Sequence, residues 1–470
     1  MDVDVIIVGA GPTGLMLAAE LGLAGVSAVV VEELPARSGQ SKALGLQPRT
    51  AEVFEARGLL GPLTDRAIQR VPGGHFAGLR LDFTAWDTAH PYMLGIPQGR
   101  VEELLEARAA ELGVKVLRGR GLTALAQDDQ GVTAVAGAAR LRGRYLVGCD
   151  GGRSTVRELL GIGFPGLDGR LRMAVADLTL TGPAPTSWSL PVMTPSAAGK
   201  GYLAPLGDGV YRFLFYGPEQ QALPRDAPIT PDEVGRALAR SFGPGVALTE
   251  VRWASRFTDA SRQVTRYRHD RVLLAGDAAH IHSPMGGQGL NLGLQDAHNL
   301  GWKLAARIEG LASDELLDTY HAERHPVAAR VLANTRAQAV LLVPDEENLA
   351  LRDIVEELLT VPEANKVVAG MISGLDIRYP LPGPPHPLLG RYLPGLDLRA
   401  GRAVLLSGSE RLRAAAAPWS AWVGYEVTGR ELGAEAVLVR PDGYVGWTGS
   451  DGASLADALS RWAGPPAGNR

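Results

Sequence analysis

Three stretches of this chain carry residue types that could do chemistry together. The first is Gly9-Ala10-Gly11-Pro12-Thr13-Gly14. It follows the β-branched run 4–8 and precedes a helical apolar pattern at Leu15, Leu17, Ala18, Leu21 and Leu23. In that order of strand, turn and helix, Gly9 permits the tight turn, Gly11 lets backbone approach a pyrophosphate, and Gly14 lets the helix pack close to the strand. Amides at the helix start would face the phosphate charge. A second β-rich run, 26–31, ends in Glu32, near the roughly 20-residue spacing expected of an acid that takes ribose hydroxyls. With strand, helix and terminal acid all in place, the motif reads as dinucleotide binding.

The second stretch, Gly148-Cys149-Asp150-Gly151-Gly152-Arg153-Ser154-Thr155-Val156-Arg157, follows a short strand at 144–147. The third, Gly276-Asp277-Ala278-Ala279-His280, follows 271–275 and leads into Pro284-Met285-Gly286-Gly287-Gln288-Gly289-Leu290-Asn291. Acids at strand ends sit where open α/β sheets bind ligands, and Asp277 could accept hydrogen bonds from a polyol. Asp150 has two readings, a cofactor contact or a turn and helix cap. Arg153 and Arg157 fit either phosphate contacts or surface pairing. His280 and His282 alternate as metal ligands can, but no third ligand is identifiable nearby, so no metal is expected. Residues 289–308 show a helical apolar pattern at Leu290, Leu294, Ala297, Leu300 and Leu304 behind a glycine-rich start.

Taken in order, the three motifs resemble those of the group A flavoprotein monooxygenases, the para-hydroxybenzoate hydroxylase type. The resemblance is closest to the branch that acts on aromatic polyketides and on rifampicin. It is carried by GCDGGRSTVR, RVLLAGDAAHIHSPMGGQGLNLGLQDAHNLGWKLA, LLDTYHAERHPVA, ISGLDIRY and HPLLG. It implies FAD as cofactor and NADPH or NADH as a transient electron donor. The implied reaction is hydroxylation of a bulky phenolic aromatic through a flavin C4a-hydroperoxide, in the setting of antibiotic biosynthesis. The implied FAD contacts are Gly9, Gly11, Pro12, Thr13, Gly14, Glu32, Glu33, Lys42, Gln98, Leu122, Asp150, Asp277, Pro284, Gly287, Gly289, Leu290 and Asn291. Among these, Glu32 would bind the adenosine ribose, Asp277 the ribityl chain, and the Leu290 and Asn291 amides the flavin ring. Backbone at Pro284, Gly286 and Gly287 would border the oxygen-reacting carbon, and no acid–base side chain is assigned. At Lys42 the branch commonly has arginine; lysine keeps the charge but loses the planar fork. Baeyer–Villiger insertion, a non-oxygenating FAD reductase or dehydrogenase, and a ligand-sequestering flavoprotein are the alternatives.

The elements that must position these residues are expected to form an α/β protein. At 470 residues the chain should hold two or three domains. A Rossmann-like FAD-binding domain is expected from residues 1–71, 99–173 and 261–345. Into it a substrate-binding domain, 72–98 and 174–260, is inserted, built on a mostly antiparallel sheet with strands at 174–180, 201–205 and 210–215. Phe76, Phe83, Trp86, His90, Tyr92 and Met93 could line its apolar chamber or be ordinary core. A helix over 324–343, a helical segment and linker at 346–390, and a thioredoxin-like domain without cysteines at 391–470 complete the chain. The last contains strands at 402–406 and 435–439, and a turn at 440–443 into 444–447.

Composition narrows the partners. Lysine plus arginine number 47 against 51 acids, a net charge of −4 that gives no pull toward nucleic acid or anionic lipid. The single cysteine, Cys149, leaves no internal disulfide or CxxC pair. The opening apolar stretch carries Asp2 and Asp4 where an export signal has basic residues, and glycine and proline interrupt it. A cytoplasmic, membrane-free enzyme that binds a small aromatic molecule and dioxygen is expected, with a homodimer one option for its assembly.

Overall fold

The architecture is that of a computed structural model, which describes residues 1–187 and 201–466. Strand Val3–Val8 lies at the centre of the main sheet, parallel to Ala28–Val31 on one side and Ala139–Gly148 on the other. Lys115–Leu117 and Val272–Leu274 extend it in parallel. Val5, Ile6 and Ile7 are fully buried, as a strand covered on both faces requires. Helix Pro12–Leu23 starts with its proline at the first turn, where a missing N–H costs nothing. The second strand begins two residues later than expected: Gly25 takes a left-handed φ of +76° and the Val26 amide donates to Leu21 O, closing the helix before extension begins. Helix Gly289–Ile308 spans the expected residues and is buried along most of its length.

The inserted sheet runs Gly201–Gly207, Val210–Phe215, Arg172–Thr181, Ala247–Thr258, antiparallel throughout. Alternation divides its faces. Ala174, Ala176, Leu178, Leu203, Phe213 and Phe215 pack on helix Pro231–Phe242 through Val234, Ala237 and Leu238. Asp177, Arg212 and Ala204 alternate onto the other face, where Ala204 packs with Val71 and Met93. Residues 72–98 add no strand to this sheet. Tyr92–Gly95 pairs with Gly45–Leu46 and Gln69–Pro72, and Gly74–Phe76 pairs with Leu79–Leu81.

The helix expected from 324 begins at Asp314 and runs to Val340, with Pro326 inside it. Beyond helices Glu346–Leu358 and Pro362–Ser373 lies a four-stranded C-terminal module. Its strands are ordered Val423–Glu426, Ala403–Ser407, Ala436–Val439, Val445–Gly449. No described helix is long and apolar enough to cross a membrane.

A buried charge cluster ties this module to the cofactor lobe. Arg440 donates to Glu323 at 2.7 and 2.8 Å and to Asp442 at 2.9 Å. Lys303 donates to Glu323 at 2.8 Å and to Asn299 at 2.9 Å. Two cations thus balance two carboxylates. Arg440 and Lys303 hold Glu323 below the usual carboxylate range, while burial lowers Lys303 to about 8. Removing one member strands the others in a low-dielectric interior. Glu323→Gln is expected to cost about 3–5 kcal/mol in chemical denaturation at neutral pH. Because the folded-state pKa of Glu323 is depressed, its contribution is present above the ordinary value of 4.5 and drains as pH falls below it. The variant should therefore show a shallower loss of stability on the acid side.

Candidate active site

The glycine turn has the geometry its sequence implies. Gly9 adopts φ +103°, and a Cβ there would stand 2.5 Å from Cys149 O. A Cβ on Gly14 would stand 2.0 Å from Gly9 O, whereas one on Gly11 would meet nothing within 4 Å. Gly9 and Gly14 therefore close the turn, and Gly11 faces open space where a phosphate could approach. No side chain caps helix Pro12–Leu23, so its first amides keep their donors free. Thr13 joins the motifs: Cβ atoms on Gly276 and Gly293 would come within 2.6 and 2.4 Å of its hydroxyl oxygen. The strand-end turn carrying Asp277 and the helix Gly289–Ile308 thus both rest on the first turn of Pro12–Leu23.

Glu32 ends its strand, as expected, with its carboxylate accepting from the Ala10 amide at 2.7 Å and the Leu34 amide at 2.9 Å. Exposed Glu33 lies beside Gly121, and the Arg120 amide bonds Glu32 O at 2.8 Å, which brings Leu122 to the same corner. Leu122 itself is buried. Asp277 is exposed in a run of buried residues on the single turn Gly276–Ala278. Asp150 serves the turn with one oxygen and leaves the other open. One oxygen accepts from the Val156 amide at 3.0 Å, next to the true cap Ser154, which accepts from Arg157 at 3.0 Å. The other oxygen is buried without a partner, and burial pushes this carboxyl up.

Arg157 donates to Ala278 O at 3.1 Å and Gly152 O at 2.8 Å and covers the Phe164 ring. It holds two motifs together, whereas Arg153 is exposed. His280 and His282 are engaged separately. His280 pairs with Asp296 at 2.6 Å, and Asp296 also binds Arg324 at 2.7 Å. His282 Nδ1 donates to Ser283 O at 2.7 Å. Burial keeps this imidazole neutral, so its orphaned Nε2 is an acceptor, close to the position of Gly289.

Helix Gly289–Ile308 also starts without a side-chain cap, and its first backward bond runs from Leu292 to Gln288. Asn291, expected to offer its backbone, uses its side chain as a clamp. Its Oδ1 accepts from Gln47 N at 2.8 Å, and its Nδ2 donates to Gly287 O at 2.9 Å and Gly45 O at 3.2 Å. Gln47 Nε2 in turn donates to Gly286 O at 2.9 Å. Gly286 and Gly287 hold φ of +74° and +62°, and Pro284 and Gly287 are exposed.

Gln98, expected to touch the cofactor, is committed to protein at both amide ends. It accepts from the Ala43 amide at 3.1 Å and donates to Glu102 at 2.8 Å. Lys42 beside it is exposed. From the opposite side Arg212 donates to Ser41 O while gripping Asp177 at 2.6 and 2.8 Å. This inter-lobe tie escaped the sequence reading; its only signal is a charged residue inside each of two otherwise apolar strands. Of the six expected pocket residues, Phe83 is corrected to core: it is fully buried with Leu79, Leu81, Ala369 and Ile372. Phe76 and Trp86 pack on that cluster, and Trp86 bonds Lys366 O at 2.9 Å. Buried His90 pairs with Glu55 at 3.0 Å and with Tyr92 at 3.1 Å. Met93 reaches the substrate-sheet face beside Ala204 and Gly45, and Phe76 also packs in a cluster that holds Met173 of that sheet.

Residues 2–335 match the family described as FAD binding domain, and residues 386–466 match the C-terminal region of aromatic-ring hydroxylases. The chain belongs to the FAD-binding aromatic-ring hydroxylases. The hydroxylase is similar over 99% of its length to the whole of the 12-dehydrotetracycline 5-monooxygenase/anhydrotetracycline 6-monooxygenase of Streptomyces rimosus, at 48% identity. It is 45% identical to the rifampicin monooxygenase of Streptomyces venezuelae, over 98% of both chains. The solved anhydrotetracycline hydroxylase of Streptomyces rimosus superposes with a TM-score of 0.91 at 47% identity, covering 99% of this chain and all of that one. The protein is an FAD-dependent monooxygenase. Its residues fit that cofactor: space at Gly11, an orphaned Asp150 oxygen, an exposed Asp277 among buried neighbours, and two uncapped helix starts.

Two substitutions separate scaffold from contact. Gly11→Ala should leave the melting temperature unchanged and weaken FAD binding, whereas Gly14→Ala should lower the melting temperature. Asp277→Ala should cost about 1–3 kcal/mol of FAD affinity through lost buried hydrogen bonds, read by titrating FAD into stripped protein.

Proposed function

We propose that this monooxygenase hydroxylates a bulky phenolic aromatic of the polyketide class, with NADPH or NADH as electron donor. The observation that carries the reading is the second face of the inserted sheet. It holds Ala204, Asp177 and Arg212 toward residues 41–45 and Met93, so substrate and cofactor lobes meet across an apolar seam containing one internally neutralised ion pair. When bound, FAD accepts hydride and activates dioxygen. The protein's part is orientation and charge. The Gly289, Leu290 and Asn291 amides, left without a side-chain cap, would stabilise negative charge developing on the ring, with macrodipole support of roughly 0.3–2 kcal/mol. Asp277 would hold the ribityl chain by accepting from its hydroxyls, and Glu32 would hold the adenosine ribose. Asn291 and Gln47 hold the 286–287 backbone where the oxygen-reacting carbon would lie. Seam residues keep water from the reaction.

On this reading residues 1–71, 99–173 and 261–345 are the FAD-binding domain, and 72–98 with 174–260 the substrate-binding domain. The C-terminal module, with its first two strands parallel and the rest antiparallel, is read as thioredoxin-like, serving as an anchor through Arg440 because it has no cysteine for disulfide exchange.

The test is mass spectrometry of products from anhydrotetracycline and related tetracyclic phenols under labelled dioxygen. One labelled oxygen attached to a ring carbon is expected. Label inserted between two carbons would give a Baeyer–Villiger enzyme, an oxidised product without label a dehydrogenase, and recovered ligand a binding protein; each overturns the proposal.

A further inference from the structure

The hairpin of Gly74–Phe76 and Leu79–Leu81 is held more firmly than a surface turn requires. Gly74 opposes Leu81, His75 opposes Arg80, and Phe76 opposes Leu79. Alternation puts Phe76, Leu79 and Leu81 on the face that packs against Ala369 and Ile372, and His75 on the other face with exposed Arg80. The connecting Ala77 is fully buried beside Met285 yet adopts φ +50°, a region that penalises any residue with a Cβ. Two helices hold it there. Gln338 accepts from the Ala77 amide at 2.9 Å, and Arg352 donates to Ala77 O at 2.7 Å. Strain maintained by its surroundings is a mark of a functional position, and this one rests on the segment 284–287.

The same turn orients the His75 ring. Nδ1 accepts from the Gly78 amide at 3.2 Å, so it carries no proton, and the neutral ring's proton sits on Nε2. Burial lowers His75 to about 4, which keeps the ring neutral near pH 7. Half-buried, it has no recorded acceptor for Nε2 among the described residues.

We propose that His75 is a substrate-orienting donor: its Nε2–H bonds a phenolic or carbonyl oxygen of the aromatic substrate and fixes the ring edge over the Met285–Gly287 turn. A neutral N–H suits an acceptor oxygen and leaves an ammonium group without a partner. The proposal rests on the hydroxylase reading and names the substrate feature recognised. Closing the turn needs only the Nδ1 acceptor, and that difference makes the roles separable.

His75→Asn keeps an acceptor for Gly78 and removes the distal donor; His75→Gln restores a donor at the distal position. Holoenzyme is titrated with anhydrotetracycline, binding being followed by quenching of flavin fluorescence, a readout independent of turnover. His75→Asn should keep melting temperature and FAD stoichiometry and raise Kd roughly tenfold, with His75→Gln recovering to within about threefold of wild type. Wild-type Kd in His75→Asn, or equal weakening in both variants, overturns the donor. A wild type that binds anhydrotetracycline but incorporates no labelled oxygen sinks the hydroxylase reading and leaves the donor standing.

Discussion

Main-chain N–H groups at a helix start have no carbonyl one turn back to bond, so they must be capped, hydrated or given a ligand. Among the helices that start without a side-chain cap, Pro12–Leu23 and Gly289–Ile308 are brought together where Thr13 fits against Gly276 and Gly293. The rest of the molecule depends on that convergence. A side chain at Gly9 or Gly14 would force the turn open, and one at Gly276 or Gly293 would push the helices apart. Anionic and acceptor groups of a dinucleotide would satisfy the free amides, and the acids nearby would be placed to take its hydroxyls.

Around this centre the chain spends its buried polar groups on fixing loops. Asn291 and Gln47 lock residues 45–47 onto 286–287. Gln98 and Arg212 hold residues 41–43 from opposite lobes. Asp296 gathers His280, Arg324 and the Gly276 amide, which sets the turn that carries Asp277. Arg440 and Glu323 extend the same device to the C-terminal module. Interactions of this kind add little net stability but penalise alternative arrangements, since each broken pair leaves a buried charge. The backbone facing the ligand is in this way preorganised.

Much of this was legible in residue order. The glycine turn, strand 4–8, helix 289–308 and the antiparallel insert follow from local patterns of period 2 or 3.6 and from turn chemistry. The start of Asp314–Val340 was not, because Pro326 resembles a first-turn proline while the actual start lies at Ser313, followed by the acids Asp314 and Glu315. The strand partners of residues 72–98 were not legible either: short strands choose partners through tertiary packing that no local pattern encodes. Phe83 shows the same limit, since an aromatic side chain serves a pocket wall and a core equally well until its neighbours are known. The Arg212–Asp177 tie and the Gln98 clamp join residues distant in sequence and leave only a misplaced charge or an unremarkable glutamine as a trace.

The most direct test of the central claim is amide hydrogen–deuterium exchange of the FAD-stripped chain with and without added FAD. Strong slowing centred on Thr13 and Gly14 and on residues 289–291 is the expected result, because the first amides of the two helices, which precede the first backward bonds from Leu15 and Leu292, pass from water to ligand acceptors. FAD binding that leaves exchange at both helix starts unchanged would contradict it.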